Sequence, residues 1–94
     1  MLYRIFTERK RVRRIRRICD RLFPAYTMYR ASGVWRGVAE RSLVIEVLSQ
    51  DPRHTDERVI QAAKWIREFN GQECVLVEVV QCESVFVGIG TIRQ

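Results

Sequence analysis

A chain of 94 residues, 47% hydrophobic and 30% charged, has room for one hydrophobic core and is too apolar and too mixed in charge for wholesale disorder. We therefore expect a single domain over residues 1–94. No apolar run approaches the roughly 18 residues of a membrane span. Met1-Leu2-Tyr3-Arg4 also leads into arginines without the apolar core of a secretory signal, so a cytoplasmic protein with no membrane partner is expected. The net charge of +6 is uneven: residues 1–22 hold nine basic and two acidic residues (9 − 2 = +7), the remainder eight and nine (8 − 9 = −1).

In chain order, the alternation in Leu2-Tyr3-Arg4-Ile5-Phe6 predicts a first strand, and Thr7 is a candidate helix cap. Val12, Ile15, Ile18, Cys19, Leu22 and Phe23 recur at helical spacing and share one face, and Pro24 closes that helix. Tyr26–Tyr29 and Val34–Trp35 read as a strand broken near Ser32-Gly33. A turn around Gly37–Glu40 then leads to a strong strand at Leu43–Leu48, making a hairpin. Residues 49–55 read as a loop ending in a Thr55 cap. Asp56 and Glu57 suit the positive end of the following helix. Val59, Ala62, Ala63, Ile66 and Phe69 line the inner face of that helix, and Asn70-Gly71 supplies the left-handed stop. A strand follows at Cys74–Val80, and Val85–Ile92 reads as a further strand.

The order β-α-β-β-α-β is the split βαβ pattern of ferredoxin-like folds, so the expected class is α+β, with two helices on one face of an antiparallel sheet plus an additional C-terminal strand. Leu43, Ile45 and Val47 alternate with Val44 and Leu48, so both faces of that strand are apolar and the open sheet face calls for a cover. A homo-oligomer is expected from this, with Trp65, Val85, Val87 and Ile89 as interface candidates.

Two groups of residues are candidates for ligand binding. On the first helix Arg13, Arg14, Arg17 and Arg21, with Lys10, form a stripe opposite the apolar face. Guanidinium forks grip phosphate oxygens through paired hydrogen bonds. On the hairpin, Tyr26, Tyr29, Trp35, Arg36, Glu40 and Arg41 combine aromatic faces with charges, the chemistry that clamps a nucleobase and its phosphate. For catalysis little stands out. His54, the only histidine, lies in a polar loop without a partner, and there is no nucleophile elbow, phosphate loop or paired metal ligand. Glu40 and Glu73 remain available as a base or hydrogen-bond acceptor. The three cysteines match no zinc or redox spacing and read as reduced, mostly core thiols. No catalytic residue, metal or cofactor is assigned, and the chain is expected not to be an enzyme.

The residues Phe23-Pro24, Tyr26-Thr27, Tyr29, Ala31, Gly33, Trp35-Arg36-Gly37, Glu40 and Ser42, followed by Asn70, Gln72-Glu73 and Val75-Leu76, resemble the FP..T.Y.A.G.W.G..E.S and N.QE.VLV blocks of a small bacterial and phage family of uncharacterised proteins. The resemblance spans roughly residues 23–77 and implies a compact sheet-and-helix domain without an assigned activity. In size and composition the chain is similar to small phage proteins that sequester immune nucleotides. The expectation is accordingly a non-enzymatic oligomer holding an anionic, nucleotide-type small molecule. The alternatives are a nucleic-acid-binding module built on the arginine helix and an interaction protein docking on an acidic partner.

Overall fold

The computed structural model describes residues 1–49 and 51–88. Its elements run β1 (Leu2–Glu8), α1 (Val12–Leu22), β2 (Thr27–Trp35), β3 (Val38–Leu48), α2 (Pro52–Asn70) and β4 (Leu76–Val80). The sheet order is β2-β3-β1-β4 and every neighbouring pair is antiparallel. Two helices on a four-stranded antiparallel sheet, with β3 inserted between β1 and β2, give the expected ferredoxin-like α+β arrangement.

The period of two decides which residues build the core. Tyr3, Ile5 and Thr7 of β1 pair with Val47, Ile45 and Leu43 of β3, and all six are buried on one face. Against them pack Ile15, Ile18 and Cys19 of α1, Phe23, and Val59, Ala62 and Ile66 of α2. The helical spacing of these apolar residues is the reason both segments lie flat on the sheet. Gly71, at φ 61, ends α2 in the left-handed conformation that glycine adopts without steric cost, and its N–H closes on Glu68 O.

Several local expectations are corrected. Thr7 does not cap a helix. It extends the alternation of β1 into the core, and its hydroxyl donates to Gln72 Oε1 at 2.5 Å. The residue before α1 is Arg11, in a left-handed conformation and without a side-chain cap. β2 runs unbroken through Ser32-Gly33, because Gly33 pairs with Glu40 and keeps the ladder. β3 begins at Val38, directly after the Arg36-Gly37 turn. α2 starts at Pro52, which sets its own φ for the first helical turn, so Thr55 lies inside the helix with its hydroxyl bonded to Asp51 O. Phe69 is exposed and does not belong to the buried face of α2, and β4 starts at Leu76. Residues 81–87 form no strand, and the part of the expected C-terminal strand from Ile89 onward, Ile89 included, lies outside the described residues.

The cysteines also depart from expectation, since only Cys19 is buried while Cys74 and Cys82 are exposed. Burial, and then the neighbouring Asp20 carboxylate, push the Cys19 thiol up to about 12. A thiol reagent in mildly alkaline buffer is therefore expected to modify two cysteines of the native protein rapidly and the third only after denaturation. Three equally fast thiols would contradict the packing of α1.

Candidate functional site

The face of the sheet away from the helices carries the other half of each alternation: Leu2, Arg4, Phe6 and Glu8 from β1, and Ser42, Val44, Glu46 and Leu48 from β3. A polar row crosses its middle. Arg4 Nε donates to Glu46 Oε2 at 2.9 Å, Arg4 Nη1 to Glu78 Oε1 at 3.4 Å, and the Tyr29 hydroxyl to Glu46 Oε2 at 2.9 Å. The Arg4 guanidinium and then the Tyr29 hydroxyl hold the Glu46 carboxyl below the usual glutamate range, while donating its hydrogen bond to Glu46 raises the Tyr29 phenol. This row divides the open face into two ends.

At one end a cleft of about 390 Å³ is lined by Phe6, Glu8, Gly33, Trp35, Glu40, Ser42, Gln72, Glu73 and Leu76, together with Thr7, Val34 and Cys74. Three distant parts of the chain meet here: the end of β1, the tip of the β2–β3 hairpin and the loop entering β4. The hairpin tip is a two-residue turn with Arg36 at φ 50 and Gly37 at φ 79, the paired left-handed geometry that matches strand twist. Glycine takes it freely, whereas an arginine there costs free energy. Arg36 is held by two contacts: its guanidinium lies 5.5 Å from the Trp35 ring centroid, and Nη2 donates to Glu73 Oε1 at 2.6 Å. The hairpin is thereby tied to the loop before β4. Gly33 keeps the floor bare, since a Cβ at that position would stand 3.0 Å from Ser42 Oγ.

The loop wall is fixed from behind. Gln72 is buried, accepts from Thr7 Oγ1 and from Asn70 Nδ2 at 3.0 Å, and donates through Nε2 to Cys74 O at 3.2 Å. Buried amides with this many partners set one loop conformation, which places the Glu73 carboxylate at the cleft. The lining carries three carboxylates and no basic side chain. Glu8 lies 4.0 Å from Lys10 and Glu73 is paired with Arg36, while Glu40 has no hydrogen-bond or ion-pair partner among the described residues. The cleft is acidic, with one exposed indole on its wall.

The candidate residues divide accordingly. Trp35, Arg36 and Glu40 come together at the cleft. Tyr29 belongs to the polar row. Arg41 pairs with Ser32 on the helix-side alternation of β3. Tyr26 packs against the core, its hydroxyl donating to Asp20 Oδ1 at 2.6 Å, and burial followed by that bond pushes its phenol up to about 12. Arg13, Arg14, Arg17 and Arg21 sit on α1, on the opposite side of the sheet, and cannot share a ligand of nucleotide size with Trp35. Trp65 is half-buried on the core beside α1, while Val85 and Val87 are exposed. Sequence reasoning missed Phe6, Glu8, Gly33, Ser42, Gln72 and Leu76. The available signal was the alternation of β1, which sends Phe6 and Glu8 to the face opposite Tyr3, Ile5 and Thr7. Among the described residues no group of three or more potential metal ligands occurs, and no helix is long and apolar enough to cross a membrane.

No protein-family model and no curated protein matches the chain. Solved structures do. A phage SAM lyase in its apo state superposes with a TM-score of 0.66 at 22% identity, over 81% of this chain and 75% of that one. A phage SAM lyase in complex with S-methyl-5′-thioadenosine gives 0.54 at 21% identity, over 81% and 76%. A de novo designed protein, Foldit4, gives 0.53 at 16%, over 87% and 94%. At these identities the likeness establishes the fold. It also corrects the expectation that the chain is not an enzyme, since phage SAM lyase, an enzyme, is built on the same arrangement of elements. The carboxylates of the cleft come from three separate segments, so no contiguous motif marks them.

Proposed function

We propose that the protein is a small-ligand enzyme of SAM-lyase type, which binds a cationic, nucleoside-bearing molecule of the S-adenosylmethionine class in the open-face cleft and cleaves it. The observation that carries this reading is the sign of the cleft: Glu8, Glu40 and Glu73 surround a space walled by Trp35, with no basic side chain in the lining. A phosphate there would meet Glu40, unpaired among the described residues, and two further carboxylates whose cationic partners, Lys10 and Arg36, are already engaged, so sequestration of a phosphate-bearing nucleotide suits this cleft poorly. A sulfonium compound with an adenosyl group suits it well. The indole offers a stacking plane for the base, the carboxylates accept from ribose hydroxyls and from the substrate ammonium, and the volume lies within the range of small-molecule sites. The solved lyase structures sharing the fold support the same class of ligand.

The chemistry asks little of local motifs. A sulfonium sulfur already carries the positive charge that makes it a leaving group, so no general acid is required. When the bond from sulfur to the aminobutyryl carbon breaks, its electron pair passes to sulfur and a neutral thioether departs. The substrate's own carboxylate oxygen takes over the carbon, closing a five-membered lactone with no proton lost. A carboxylate placed against the sulfonium would stabilise the starting state more than the transition state, in which that charge is fading. Glu40 and Glu73 therefore act best at the ribose and ammonium ends, holding the reacting atoms in line.

Val34, Trp35 and Leu76 at the rim are exposed, and a second copy seated on this face would bury them and close the cleft; the proposal includes this oligomer. The test incubates purified protein with S-adenosylmethionine and follows the products by mass spectrometry, alongside light scattering. Release of S-methyl-5′-thioadenosine, slowed by Glu40→Gln, is the expected result. Tight calorimetric binding without turnover would leave a binding protein, and neither binding nor turnover would remove the proposal.

A further inference from the structure

We propose that the outer face of α1, together with the groove between α1 and α2, is a second binding surface that grips the phosphodiester backbone of nucleic acid, independently of the open-face cleft. Arg13, Arg14, Arg16, Arg17 and Arg21 are all exposed on an 11-residue helix. Among the described residues none of the five forms an ion pair. Asp20, the acidic residue of the helix, is occupied by the Tyr26 hydroxyl. Five like charges without counter-ions repel one another, and an external polyanion relieves that repulsion.

The groove organises three of them. Arg14, Arg17 and Arg21 line a depression of about 520 Å³ with Ile18, Trp65, Glu68 and Phe69. Their spacing covers about 10.5 Å along the helix axis, at about 1.5 Å per residue, a length that meets more than one phosphate of a strand. The Arg14 guanidinium lies over the Phe69 ring at 5.2 Å, and Arg11 Nη1 donates to Phe69 O, fixing the end of α2 against the start of α1. Stacking uses the face of a guanidinium and leaves its N–H edge free, so Arg14 is held in place with its donors available for phosphate oxygens.

The same observations disfavour other polyanions. An acidic amphipathic peptide needs an open apolar floor, but Arg14 covers Phe69, Trp65 is half-buried in the core and Glu68 borders the groove. An anionic membrane surface needs apolar residues to insert, and on this surface only Phe69, in the groove and beneath the Arg14 guanidinium, is a large exposed hydrophobic residue.

The experiment measures fluorescence anisotropy of a labelled DNA duplex against the full chain over a range of salt concentrations. With three to five phosphates neutralised, log K is expected to fall against log salt with a slope of about −3 to −4.5. The triple variant R14Q/R17Q/R21Q should bind about tenfold more weakly at low salt, with the slope reduced by about 3. Circular dichroism checks its fold, and if the triple variant does not fold, each single variant should lower the slope by about 1. A wild-type slope near zero, or a slope unchanged in the folded variants, would overturn the proposal. So would poly-glutamate or anionic vesicles competing as well as unlabelled DNA at equal charge, since the face would then be a peptide or lipid site.

Discussion

Replacing Ile45 by alanine is expected to lower the unfolding free energy by about 3 kcal/mol, the middle of the range for a fully buried isoleucine. Ile45 is 0% exposed and stands on β3 between Ile5 of β1 and Met28 of β2, facing both helices. Neither neighbouring strand can move in to fill the space, because their spacing is set by backbone hydrogen bonds. For a domain of this size the loss corresponds to a fall in Tm of about 12–24 °C. Val34→Ala, at an exposed hairpin position, should change stability by less than about 0.5 kcal/mol. Chemical and thermal denaturation followed by circular dichroism distinguish the two, and equal effects at both positions would mean that the sheet is not centred on β3.

The second large effect falls on ligand binding. Trp35→Ala should weaken binding of S-adenosylmethionine or S-methyl-5′-thioadenosine by roughly 5- to 150-fold, the cost of one lost stacking contact of about 1–3 kcal/mol. Net charge is unchanged, so the result reports the loss of the indole and not a change in formal charge. It also removes the surface over which Arg36 lies, freeing the partner of Glu73. Calorimetric titration reads the affinity directly. Tyr26→Phe is the matching control, because Tyr26 contacts the core and Asp20 and not the cleft. If a folded Trp35→Ala binds as tightly as the parent, the ligand does not stack there and the cleft reading fails. Salt-dependent DNA binding through α1 should survive this substitution unchanged.

Much of the architecture was legible because its signal is periodic. Ile15, Ile18 and Cys19, and Val59, Ala62, Ala63 and Ile66, announce the buried sides of two helices, and the order of elements follows. Single residues with two physical uses were not legible. Threonine caps helices and also fills strands, and only the continued alternation after Tyr3 and Ile5 assigns Thr7 to the core. Glycine interrupts some strands, but Gly33 continues this one because its missing side chain opens the cleft floor without breaking the ladder. At the site, Trp35, Arg36 and Glu40 were found together because a two-residue turn keeps sequence neighbours close in space. Glu8 and Gln72 lie on segments brought together only by the completed sheet, through contacts such as Thr7 with Gln72. The arginines of α1 and the hairpin aromatics, the two candidate groups, fall on opposite sides of the sheet, so they cannot share one small ligand.

The tie from Arg36 to Glu73 and the bond from Thr7 to Gln72 join residues separated by 37 and 65 positions in the chain, and both belong to the walls of the cleft. No partly folded form that lacks β4 or the β2–β3 hairpin contains the site. Whatever occupies it therefore recognises the complete fold alone, and occupancy and folding are thermodynamically coupled. At a concentration of one hundred times Kd such a ligand adds about 2.7 kcal/mol to the free energy of unfolding, a sizeable share of the total for a domain of this length. The same small molecule that the cleft would consume would, while bound, also keep the chain folded.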